Sequence, residues 1–201
     1  MERLCQIGIL LLLCYAVGCT RGGNPQLPVK KLISEEKSKA APLQQLDTAG
    51  QLKQARIFLM KLKTAIVNND QPRLLNMIHF PMQTQLMWMN ESQTIDEKVG
   101  LLSKEEFPKY YRKSFFDKEQ RRVLGYEQGD EVYPINLQSD QASNYYQRLS
   151  EGTDPGTLLF NYYLQWGRPD GRGDYWFGLV VGQIKGEFKL LSYYSKWPVK
   201  D

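Results

Sequence analysis

The sequence predicts an α+β fold, with helices packed on one face of a curved, mainly antiparallel sheet. Three observations carry that expectation. Apolar residues recur at helical spacing early, between Thr48 and Ile66. Three aromatic and β-branched runs, divided by glycine-rich turns, fill the end of the chain between residues 157 and 195. No internal repeat interrupts that order. At 201 residues and 42% hydrophobic content, the chain has room for one domain, a core and a tail.

The elements follow in chain order. Ile7–Val17 is an apolar, uncharged run of 11 residues behind a short n-region with Arg3. A membrane-spanning helix needs about twenty apolar residues, so the run reads as the h-region of a secretory signal. It ends in Ala16-Val17-Gly18-Cys19, which resembles the lipobox of bacterial lipoproteins. The resemblance implies that residues 1–18 are removed as a signal peptide and that Cys19 carries lipid, palmitate among its acyl chains. The departure from the usual motif is Ala16 where a leucine is common. Cys14 does not fit as the lipid site, because Leu13 precedes it. Plain secretion after an Ala-x-Gly cleavage site is the alternative. With Cys5 and Cys14 removed and Cys19 acylated, none of the 3 cysteines is left as a free thiol for disulfides, nucleophilic catalysis or thiolate metal sites.

Residues 19–45 hold Gly22-Gly23, Pro25, Pro28, Pro42 and the mixed-charge run Glu35–Lys39, without apolar periodicity. They are expected to form a flexible tether, with residues 46–201 as the domain. Thr20 stands where many Gram-negative lipoproteins carry an aspartate that retains them at the inner membrane. By that resemblance the expected address is the outer membrane, with its face left open.

Leu52, Ala55, Leu59, Leu62 and Ile66 mark a first helix from about Thr48, ended by Asn68-Asn69. Asp70 is placed to cap a second helix with Pro72 in its first turn, and Pro81 is expected to stop it. Alternation from Met82 to Met89 suits a strand, and Gln93–Lys98 a returning one. Ser103-x-x-Glu106 is a capping box opening a third helix with Phe107, Tyr110, Tyr111 and Phe115, extended over residues 117–126. Residues 131–137 suit a short strand, and 138–155 a polar excursion. Thr157–Trp166, Tyr175–Val181 and Glu187–Ser195 are the closing strands.

This order of elements resembles the NTF2-like, or cystatin-like, cone. The stretches AIVNNDQPRLLNMIHFP and GEFKLLSYYSKW look like that fold's helix pair with its junction into the sheet, and its final strand. The likeness covers about residues 48–197. It implies a pocket between sheet and helices, where enzymes of the fold place a proton-transferring Asp, His or Tyr.

The net charge of +4 and the single histidine restrict the chemistry. No dense basic stripe announces nucleic-acid binding. Tyr110–Lys113 and Arg121-Arg122 are interleaved with Glu105, Glu106, Asp117 and Glu119, as on a solvated helix face; contact with anionic lipid is a secondary reading. His79 is the one candidate general base, without a carboxylate assignable to it by spacing. A structural role at a helix end is the competing assignment. Multi-histidine zinc sites are excluded, and no metal or cofactor is expected. Asp170 and Asp174 lack the remaining ligand pattern of a calcium loop. Arg172-Gly173-Asp174 matches an adhesion tripeptide but is ordinary turn composition.

Three of the 4 tryptophans and five of the 12 tyrosines follow residue 156. Leu158, Phe160, Tyr162, Leu164 and Trp166 share one strand face. Tyr162, Trp166, Tyr175 and Trp176 are the ligand-binding candidates, suited to an apolar molecule or a sugar ring; filling a core is the competing role. The expected function is a lipid-anchored, non-enzymatic binding module for an envelope protein or small ligand. A small-molecule enzyme using His79 and a cell-wall polysaccharide binder are the alternatives. An open sheet edge leaves room for a homodimer.

Overall fold

The computed structural model describes residues 47–84, 100–126, 132–138, 144–195, 197, 199 and 200. All belong to one compact unit, Leu43–Asp201. The signal, Cys19 and the tether, together with Leu86, Trp88 and the expected strand at 93–98, lie outside the described residues.

Helix α1 spans Thr48–Val67. It begins where Asp47 accepts the Gly50 N–H at 2.7 Å, the ordinary N-cap exchange. Its buried stripe is Ala55, Leu59, Leu62, Ala65 and Ile66, as the spacing predicts. Gln51 is also buried on that side, and its Oε1 accepts the Leu158 N–H at 2.8 Å, tying the helix to the sheet. Helix α2, Gln71–Met77, carries the expected Asp70 cap on Arg73 N at 3.1 Å and a proline in its first turn.

Helix α2 ends earlier than expected. Strand β1, Ile78–Gln83, follows without a loop, so His79 and Pro81 stand within a strand. The cause is tertiary: β1 pairs parallel with the last strand, with Ile78 opposite Leu190 and a register shift before Gln83. Proline has no N–H for a ladder, which suits that irregular stretch; the Phe80–Pro81 peptide is cis.

Strand β2 is short, Leu101–Leu102, and pairs antiparallel with β1. The capping box then forms as the sequence predicts. Glu106 N donates to Ser103 Oγ at 3.2 Å, and Ser103 N to Glu106 Oε2 at 2.9 Å. The helix it opens, α3, covers only Phe107–Tyr110. Beyond it the chain closes a tight loop: Lys113 and Ser114 both donate to the Tyr110 carbonyl, and Arg112 has φ 66°. Tyr111, Phe115 and Phe116 are all buried by this loop, and their burial outweighs continued helix. Helix α4, Lys118–Tyr126, is therefore a separate element, begun by Asp117 accepting Gln120 N at 2.8 Å.

Strand β3 is Val132–Pro134. The polar excursion contains an unforeseen helix, α5, Asn144–Glu151. Strands β4, Phe160–Gly167, β5, Asp174–Ile184, and β6, Glu187–Ser195, complete a six-stranded open sheet. Its order is β2-β1-β6-β5-β4-β3, antiparallel except for β1 with β6. The α+β class and the mainly antiparallel sheet are as expected. β5 runs longer than predicted, through Gly182 to Ile184, and turns at Lys185-Gly186 alone. Both turn residues have positive φ, 53° and 78°, as a two-residue hairpin of matching twist requires. Asp154 accepts both of their N–H groups, at 2.8 and 2.6 Å.

Helices pack on both sheet faces, where the sequence predicts them on one only, because the unforeseen α5 lies on the second. On one, Phe160, Tyr162, Leu164, Phe177, Leu179, Val181 and Tyr193 pack against α1–α4. Phe107, Tyr111, Phe115 and Phe116 join them, with Phe115 and Phe116 ring centroids 5.5 and 5.4 Å from Tyr193. On the other, Leu159, Val180, Leu191 and Tyr194 pack against Tyr145 and Leu149 of α5.

Candidate functional site

A cleft of about 510 Å³ opens at the end of the sheet where β4 turns into β5. Trp166, Tyr175, Trp176 and Trp197 supply its aromatic walls, and Lys113, Ser114 and Asp117 supply polar groups from the loop between α3 and α4. Strand pairing builds the aromatic part: Trp166 stands opposite Tyr175 on neighbouring strands, with ring centroids 5.8 Å apart. Trp176, next along β5, leans to the other face and stacks on Tyr163 at 6.2 Å. Trp197 is 68% exposed, the most open tryptophan among the described residues. Side chains of this kind stack on flat apolar faces, such as the C–H face of a sugar ring or an aromatic molecule.

The cleft floor is fixed by hydrogen bonds. Gln120 accepts the Phe116 N–H at 2.5 Å and donates to the Tyr193 hydroxyl at 2.8 Å. Burial raises the Tyr193 pKa, so that phenol stays protonated at neutral pH. Glu119, on the rim, is held by Arg122, whose Nε donates to it at 3.0 Å. That hydrogen bond lowers the carboxyl's pKa. The Arg168 guanidinium lies 5.2 Å from the Tyr175 ring centroid and closes one side of the hairpin. Trp166 Nε1 is buried without a hydrogen-bond partner among the described residues.

Of the four ligand-binding candidates, Trp166, Tyr175 and Trp176 meet at this cleft. Tyr162 does not: it is 1% exposed, in the core, with Lys63 over its ring at 5.5 Å. Core filling is thus the observed role of Tyr162. Trp197, Lys113, Ser114 and Asp117 are additions that strand alternation could not supply. Asp117 reads in the sequence only as one of the acids interleaved along a solvated helix face, and Trp197 lies beyond the last strand.

His79 lines neither this cleft nor the one beside α1 described below. It is exposed on β1, not at a helix end, and partial burial, then the charge of Lys189, lowers its pKa. Asp170 is engaged by Arg168 at 3.1 and 2.8 Å and accepts Arg172 N at 3.0 Å. Asp174 accepts Gln165 Nε2 at 2.6 Å, so the hairpin carboxylates serve the turn. Among the described residues, no three His, Cys, Asp or Glu are grouped to hold a metal ion, and no helix is long and apolar enough to cross a membrane. No protein-family model matches the chain, and no curated protein matches it in sequence.

Proposed function

We propose that the chain is a lipid-anchored lipoprotein of the bacterial envelope, addressed to the outer membrane. Its NTF2-like domain binds a small ligand in the aromatic cleft, without catalysis. The anchor reading rests on Ala16-Val17-Gly18-Cys19 at the end of an apolar run of signal length. The NTF2-like reading is supported by two leading helices, a strand pair, further helices and a closing antiparallel meander that returns beside β1. The observation that carries the binding role is the convergence of Trp166, Tyr175, Trp176 and Trp197 on one open cleft with a polar rim. Ring stacking with a hydrogen-bonding edge fits a saccharide best, because sugars present both a C–H face and hydroxyls.

Tryptophan fluorescence of the full chain, titrated with envelope oligosaccharides, tests this. A saturable shift is expected, weakened at least fivefold in Trp166→Ala while thermal unfolding remains cooperative; about 1–3 kcal/mol per stacked ring, the range for aromatic stacking on nucleic-acid bases, corresponds to about 5- to 150-fold. No shift with any saccharide, or equal binding by Trp166→Ala, removes the reading.

A further inference from the structure

The outward face of α1 has a composition that the aromatic cleft does not use. Lys53, Arg56, Ile57, Met60, Lys61, Thr64 and Val67 are all exposed and fall at three- and four-residue spacing, so they form one stripe. Ile57, Met60 and Val67 are 42%, 58% and 39% exposed, half of the exposed large hydrophobic side chains among the described residues. Helix α1 carries four basic residues and no acidic one. Beside the stripe, a cleft of about 390 Å³ lies between α1, α2 and the β5–β6 turn, where Lys61, Arg73 and Lys189 surround Ile57, Phe58 and Met77.

We propose that this face is the surface on which the domain rests against an anionic phospholipid bilayer. Ile57 and Met60 enter the headgroup layer, and Lys53, Arg56, Lys61 and Arg73 meet lipid phosphates. Apolar side chains flanked by cations along one helical stripe match the two parts of such an interface. Among the described residues Lys53, Arg56, Lys61 and Arg73 form no ion pair, so their charge is available to a partner. The nearby carboxylates are engaged within the domain: Asp47 and Asp70 cap helices, and Glu187 pairs with Lys189 at 2.9 Å. A second copy fits poorly, since a two-fold contact would set this basic stripe against itself.

The inference rests on the lipid-anchor reading for its geometry. Helix α1 is the first described element, and the 27 residues from Thr20 to Leu46 reach at most about 95 Å from Cys19. The bilayer is thus within range of α1.

The test places a photo-crosslinking benzophenone residue at Met60, or at Arg172 in the distant β4–β5 hairpin, in the full chain. Each is mixed with vesicles of tritiated phosphatidylglycerol in phosphatidylcholine, or of tritiated phosphatidylcholine alone, and irradiated. The expected result is a lipid adduct at position 60, stronger with phosphatidylglycerol and at least fivefold above that at 172. Combined Lys53→Glu, Arg56→Glu and Lys61→Glu changes, all on exposed positions, lower it at least tenfold; a single neutralised charge is worth about fivefold. A chain that pellets with the vesicles but gives no excess adduct at 60 overturns the inference and leaves the anchor reading standing. A chain that pellets with neither vesicle and gives no adduct overturns both. A protein–protein adduct at 60 overturns it by assigning the face to a second copy.

Discussion

The two faces of the sheet are built by different physics. Under α1–α4 the contacts are mainly apolar and aromatic, with Gln51 and Gln120 each adding a hydrogen bond to the sheet. Phe107, Phe115, Phe116, Tyr193 and Phe177 form a chain of rings with successive centroids 5.2–5.8 Å apart. Under α5 the apolar set is small, and hydroxyls do much of the joining. Tyr145 shares a hydrogen bond with Ser192, whose hydroxyl donates to the Gln83 carbonyl at 2.7 Å. Tyr194 donates to Asn161 at 2.9 Å, and Asn161 to Tyr133 at 2.6 Å. Burial raises the pKa of both Tyr145 and Tyr194, which keeps them as neutral phenols able to donate. An eight-residue helix brings too little apolar surface to cover a sheet by burial alone, so directional bonds complete the second face. The first face is held by area, and the second by geometry.

The largest expected effect tests the first face. Phe115 is fully buried and touches the rings of Phe107, Tyr111, Phe116 and Tyr193. Phe115→Ala is expected to lower unfolding free energy by about 3–5 kcal/mol, read from urea denaturation midpoints at unchanged slope. Phe115→Leu, which keeps most of the volume, should cost less than half as much. Equal losses for the two would show that ring geometry, not buried area, governs this face, and the contrast would collapse.

The second face is tested at its tightest contact. A Cβ on Gly178 would stand 2.0 Å from Tyr194 Cζ, so glycine is required for the tyrosine to lie across the strand and reach Asn161. Gly178→Ala is expected to destabilise by about 1–3 kcal/mol through overpacking. Tyr194→Leu destabilises too, by stranding Asn161. The double variant should be more stable than the two losses added together predict, because the clash is then absent. Strict additivity, measured by the same denaturation series, would mean that Tyr194 does not occupy this position.

Much of the first face is legible in the sequence and the second, covered by α5, is not, for a physical cause. The α1 stripe, the Asp70 cap, the Ser103–Glu106 box and the shared face of Leu158 to Trp166 are local or periodic features, and the structure carries each of them. Helix α5 is hidden in the sequence because NYYQRLSE has only Tyr145 and Leu149 at four-residue spacing to betray it. The α3 boundary is not legible because the loop at 111–116 is decided by burying three rings at once, a tertiary demand. Three of the four cleft aromatics were legible as strand ends. Their meeting with Trp197 and the 113–117 loop depends on how the chain returns past the sheet, which no spacing reports.

The smallest expected effect lies at the uncovered margin of the second face. Ile78 and Phe80 pack toward the first face, so His79 between them points to the other, where it is exposed. Partial burial, then the Lys189 charge, disfavours its imidazolium and lowers its pKa below the ordinary histidine value of about 6.5. The sign follows: the unfolded chain binds this proton more readily, so the contribution to stability is intact above about pH 6.5 and is lost as pH falls through the folded-state value. His79 is the only histidine, so its imidazole resonances titrate without overlap. A proton NMR titration is expected to give a midpoint below 6.5, moving upward in Lys189→Gln as one repelling charge is removed. A midpoint at or above 6.5 would instead place an unrecognised carboxylate or carbonyl acceptor beside the ring. That would make this margin another hydrogen-bonded part of the second face, where the present geometry leaves it open to solvent.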